Sequence, residues 1–239
     1  SSARGLAMLS SNAKSLLVMF VLFSLITSLQ YVAALAAHSL ALQADCVSMA
    51  VDAISYLGNM VAECQHDSVA RAALELVMSA VSLSLLSYFT GVFFVAAAQN
   101  AGLLPSDGAE EEDVDAVIVL SFAALGIAFD AISLLSYKYW RDAGRSPMRQ
   151  EDDAKINVNM LSALLHVVAD TLRSTTTFVE GLILMFLPER NGAAIDGWSA
   201  LVVCTTITIG IIGGIWTWTV ELRAYLAKRR SRLNTNVLL

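Results

Sequence analysis

The stretch NVNMLSALLHVVADTLRS, residues 157–174, carries His166 and Asp170 four residues apart inside an otherwise apolar run. On a helix that spacing stacks an imidazole and a carboxylate on one face, about one turn apart. A second run, HSLALQADCVSMAVDAISYLGNMVAE from His38 to Glu63, puts Asp45, Ser48 or Met49, and Asp52 on one face by the same rule. Asp52, His166 and Asp170 together offer one imidazole and two carboxylates. Such nitrogen and oxygen donors suit a borderline divalent cation: zinc first, with manganese, cobalt or iron as alternatives. The bland alternative is a buried polar network that only fixes helix packing. If the three groups meet at one depth in a membrane, ion handling is favoured, because ionisable groups there are costly.

The elements that must position them read as membrane spans. Of 239 residues, 56% are hydrophobic and 15% charged, well below the roughly 25% charge of soluble domains. Mean hydropathy is +0.64. Residues 15–37 contain no charge and exceed the roughly 20 residues that cross a hydrocarbon core. Further apolar segments run from Ser39 to about Ala62, Leu74 to Ala98, Val114 to Tyr137, Val158 to Leu187 and Trp198 to Val220. Between them lie polar breaks: ECQHD at 63–67, QNAGLLPSDGAEEED at 99–113, the connector from Lys138 to Lys155, and a turn from Pro188 to Gly197.

The expected fold is therefore all-α, a polytopic membrane protein of six transmembrane helices. With both termini in the cytosol, every Lys and Arg outside the spans except Arg190 falls on the inner side, while Glu110 to Asp113 lie outside. The organisation is a cytosolic segment at 1–14, a six-helix transmembrane unit at 15–220 and a basic cytosolic tail at 221–239. Segments two and five run in opposite directions, so Asp52 and Asp170, each near the middle of its span, can share one depth. Plasma membrane and endomembrane are not distinguished.

The stretches Ser39-Leu40-Ala41-Leu42 with Asp45 and Asp52, and Asn157 to Ser174 with His166 and Asp170, resemble the cation diffusion facilitators of the zinc-transporter type. The likeness covers all six spans, and Asp196 before the last span also matches a common position of that family. It implies a tetrahedral site made by a four-residue-spaced ligand pair on each of spans two and five. The fifth-span pair is His166 and Asp170. In the second, Ser48 stands where His or Asp is usual and Asp52 is kept, so Ser48, Asp45 or water completes the shell. Many members carry a cytosolic C-terminal domain, and the resemblance here is to one lacking it. It also implies a homodimer, here formed through membrane helices. Some relatives hold an accessory metal in the loop after span two, where this chain has Cys64, His66 and Asp67. An ordinary polar loop is the alternative there.

The function expected is a secondary transporter moving a divalent transition metal, zinc first, out of the cytosol. Its ligands must lose protons to bind metal, so protons are the expected counter-ion. The alternative is a non-transporting metal-binding or regulatory partner subunit of the same family. Asp130 and Arg173 are expected to pair, since a buried Arg173 needs a counter-charge; a proton or metal relay role for Asp130 is the alternative. Gly210 and Gly214 have the spacing of a close helix contact. Phosphate loops, nucleophile elbows and HExxH helices are absent from the sequence, so neither an enzyme nor a nucleic-acid binder is expected.

Overall fold

The computed structural model describes residues 11–65, 67–105, 113–143, 158–187 and 191–237. Among them it contains six helices and no strand: α1 (Ser11–Ala36), α2 (Leu40–Glu63), α3 (Ser68–Asn100), α4 (Ala116–Ala143), α5 (Val158–Phe186) and α6 (Gly192–Val237). α2, α3 and α6 each hold a stretch long and apolar enough to cross a membrane, and α1 and α4 carry shorter apolar stretches. The protein is an all-α membrane protein.

The helix ends show why the chain breaks where it does. At the end of α1, His38 takes a positive φ of 54°. Its N–H bonds Leu35 O at 3.3 Å, and Ser39 N–H reaches back to Ala34 O at 3.2 Å. This is a Schellman cap, with His in the left-handed position that glycine more often fills. Ser39 then opens α2: its Oγ accepts from Leu42 N at 3.1 Å. Three helices start away from the apolar boundary read in the sequence, because a side-chain cap sets the start. Asp67 Oδ1 accepts from Val69 N at 3.0 Å and opens α3 at Ser68 rather than near Leu74. Asp115 Oδ1 accepts from Val117 and Ile118 N–H at 2.9 and 3.1 Å ahead of α4. Asn191 Oδ1 accepts from Ala194 N at 3.0 Å, so Asp196 and Gly197 lie within the first turns of α6, not in a turn before it. At the other ends, α4 runs past Tyr137 and α6 runs on through the basic tail.

The described residues form two compact units. One comprises Ser1–Tyr31, Cys46–Val92 and Ile211–Leu239; the other comprises Val32–Asp45 and Phe93–Gly210. In the first unit, Ser55 Oγ donates to Ser82 Oγ at 2.8 Å between α2 and α3. The Trp218 indole N–H donates to Leu76 O at 2.9 Å between α6 and α3. Gly214 is covered by Leu83 of α3, so half of the Gly210/Gly214 pair is already used within the chain.

The second unit holds α4 and α5 whole. Its buried cluster is mostly small: Ala41, Ala97, Ala98, Ala200 and Leu201. Large apolar side chains such as Val32, Leu125, Ile132, Phe186 and Ile209 are exposed instead. Small residues inside and large ones outside is the pattern of helices that pack closely while their outer faces meet lipid. α4 and α5 approach closely at Gly181, where an added Cβ would stand 2.9 Å from the Leu120 backbone.

Candidate ion site

α5 is amphipathic in an inverted sense. Its buried residues Arg173, Ser174, Thr177, Glu180, Gly181 and Leu184 recur at three- and four-residue intervals, which makes one helical stripe. That stripe is polar for four of its six positions. Leu172, Val179, Ile183 and Phe186 face outward.

At the start of the stripe, Arg173 gathers carboxylates from two helices. Its Nε donates to Asp45 Oδ1 of α2 at 3.0 Å, with both side chains buried. Its second terminal nitrogen pairs with Asp170 Oδ1, one turn back on α5. Next to Arg173, Ser174 Oγ donates to Asp130 Oδ2 of α4 at 3.2 Å. Asp130 also interacts electrostatically with Asp170, Asp45 and Arg173. Among the described residues of the second unit, two carboxylates thus pair with one guanidinium and a third, Asp130, interacts with it electrostatically. A guanidinium fork satisfies two carboxylates well and fixes their orientation, but it cannot neutralise three. Where an Asp130–Arg173 ion pair was expected, Arg173 instead pairs with Asp45 and Asp170, and Asp130 takes a hydrogen bond from Ser174 and interacts with Arg173 electrostatically.

The sequence-predicted residues fall as follows. Asp170 and Asp45 are joined through Arg173. His166 lies on α5, one turn before Asp170, but its side chain is outside the described residues. Ser48 is buried and Asp52 half-buried on α2, both in the first unit. Cys64 is an exposed free thiol after α2, Asp67 caps α3, and His66 lies outside the described residues. Arg71 bridges this loop by pairing with Glu63 and with Glu75, the latter at 3.0 Å. Among the described residues, no three His, Cys, Asp or Glu side chains are placed to hold a metal.

Sequence reasoning missed the role of Asp45 as counter-charge to Arg173 and the burial of Glu180. Both signals were present. Arg173 and Glu180 are seven residues apart on one face, and a charge in an apolar span demands a partner on another helix.

No curated protein matches the chain. The family model for the cation efflux transmembrane domain matches residues 16–222, which takes in α1 to α5 almost whole and α6 to Leu222. That span includes both the Asp45–Arg173–Asp170 cluster and the Asp52 and His166 positions. The chain belongs to the cation efflux family, whose members are membrane transporters of cations rather than enzymes.

Proposed function

We propose that this protein exports a divalent transition metal, zinc first, from the cytosol in exchange for protons. Six helices cross the membrane with both termini cytosolic, and the working unit is a homodimer. The ion is held by Asp52, His166 and Asp170. The observation that carries the reading is the carboxyl cluster at Arg173: among the described residues, Asp45 and Asp170 pair with its guanidinium and Asp130 interacts with it electrostatically. A buried cluster with surplus negative charge is a place where a mobile cation or protons must supply the balance.

Arg173 adds a step to this mechanism. Its guanidinium already engages Asp170, so an arriving metal competes with it for that carboxylate. Asp45 gives Arg173 a second anchor on which to remain when Asp170 turns to the metal. That engagement of Asp45 favours Ser48 or water as the fourth donor. Metal binding requires deprotonated ligands, so protons arriving from the far side promote release.

A second reading, a metal-binding regulatory subunit without flux of its own, draws on two observations. Ser48 offers a neutral hydroxyl where a stronger ligand is usual, and Arg173 occupies Asp170. Zinc flux by the purified chain alone in liposomes separates the two readings. For the transporter, Asp170→Ala or His166→Ala abolishes uptake driven by a pH gradient into inverted vesicles while the protein is still made. Undiminished uptake in both variants overturns the assigned site.

A further inference from the structure

The polar stripe of α5 ends in a group that the ion site does not use. Glu180 is fully buried, and neither of its carboxyl oxygens receives a hydrogen bond. It lies against Asp196, with Ser39 and Ser199 beside the pair. Asp196 is equally buried but well supplied with donors. Ser39 Oγ and Ala41 N donate to Oδ1 at 2.7 and 3.1 Å, and Leu40 N donates to Oδ2 at 2.8 Å. Those N–H groups belong to the first turn of α2, the end of a helix that favours negative charge.

Asp196 therefore has what a carboxylate needs, whereas Glu180 has beside it only the Ser199 hydroxyl and the Ser39 hydroxyl, whose proton Asp196 already takes. Two carboxylates facing each other offer only acceptors, and adjacent buried carboxyls do not both ionise. A proton on Glu180 resolves both problems: it makes Glu180 a donor to Asp196 and removes an unsatisfied buried charge. A metal ion fits less well. It would meet the positive end of α2 and a carboxylate that already accepts three donors.

We propose that Glu180 and Asp196 form a proton-binding site, with one proton resident on Glu180 and donated to Asp196. The site is separate from the ion cluster, since Glu180 lies ten residues beyond Asp170, about 15 Å along the helix. It does not depend on which cation the protein moves. The groups facing Glu180 come from two other elements: Asp196 and Ser199 on α6, and Ser39 just before α2.

The test uses the full chain purified in detergent, with Glu180→Gln and Asp196→Asn. Infrared difference spectra at neutral pH should show the carbonyl stretch of a protonated carboxyl that shifts in heavy water and is lost in Glu180→Gln. Gln mimics the protonated acid, so Glu180→Gln should keep the unfolding temperature within a few degrees of the parent. Asp196→Asn should lower it clearly or fail to fold, because the donors of Ser39, Leu40 and Ala41 lose their carboxylate. An unchanged carboxyl band in Glu180→Gln overturns the proposal. So does a Glu180→Gln protein that fails to fold or melts as early as Asp196→Asn. Stabilisation of the parent by sodium, calcium or zinc that vanishes in Glu180→Gln also overturns it, in favour of a cation.

Discussion

Arg173 Nε donates to Asp45 Oδ1 at 3.0 Å, joining residues 128 positions apart across two helices. The contact is buried on both sides, so its value is asymmetric. Making it recovers little more than the desolvation it costs, but breaking it leaves a charge with no counterpart. Arg173→Gln should therefore cost about 3–5 kcal/mol of stability, read by denaturant unfolding in detergent. The double variant Asp45→Asn with Arg173→Gln should recover much of that loss. Equal losses in the single and double variants would show that the pair is not what holds α2 to α5.

The same guanidinium sets the affinity of the proposed ion site. In Asp45→Asn, Arg173 loses its second anchor and pairs more fully with Asp170, which weakens zinc binding. In Asp45→Asn with Arg173→Gln the competitor is gone, and binding tightens beyond that of the parent. Each step should be on the order of tenfold in Kd, measured by calorimetry. A flat series would mean that the guanidinium does not compete with metal.

Glycines on the closely packed faces should respond differently from glycines in the open. A Cβ at Gly181 meets the Leu120 backbone at 2.9 Å, and one at Gly126 meets Ser174 Oγ at 2.9 Å. Gly181→Ala should destabilise by about 1–3 kcal/mol through overpacking. Gly126→Ala should additionally displace Ser174 from Asp130. Gly210 has nothing within 4 Å of an added Cβ, so Gly210→Ala should be neutral or gain up to about 1 kcal/mol of helix propensity. Thermal unfolding of the three variants orders them.

Asp67 acts as a helix cap, and its substitution should read as one. Asp67→Ala should cost about 1 kcal/mol, while Asp67→Ser, which can still accept from the α3 N–H groups, should cost less. Zinc stoichiometry by metal analysis should be the same for both variants and the parent. A loss of one bound metal in Asp67→Ser would instead make the loop at Cys64 to Asp67 an accessory site.

Most of the fold was legible because membrane spans write themselves in composition. Apolar runs of about 20 residues mark where the helices lie. The helix ends were less legible. Asp67, Asp115 and Asn191 begin α3, α4 and α6 by hydrogen bonds to N–H groups two or three residues on, and a hydropathy boundary does not register a cap. At the site, the four-residue spacing of His166 and Asp170 was plain on one helix. What the spacing could not give was the partner across helices. Asp45 was read with Asp52 because they share a face of α2, whereas the fold ties Asp45 to Arg173. Glu180 passed unnoticed because its seven-residue spacing from Arg173 marks a shared face but names no partner. Its significance depends on Asp196, which reaches it only through the fold.

The polar stripe of α5 also bears on how the protein is made. Asp170, Arg173 and Glu180 each add about 2.5–3.5 kcal/mol to the cost of placing a lone helix at the bilayer centre. Among the described residues, α5 is not one of the three helices that hold a stretch long and apolar enough to cross a membrane. Its charges are tolerable only once Ser174 meets Asp130 of α4, Arg173 meets Asp45 of α2 and Glu180 meets Asp196 of α6. During synthesis α5 is thus expected to depend on its neighbours: on α4 through Ser174 and Asp130, and on α6, the last helix made, through Glu180 and Asp196.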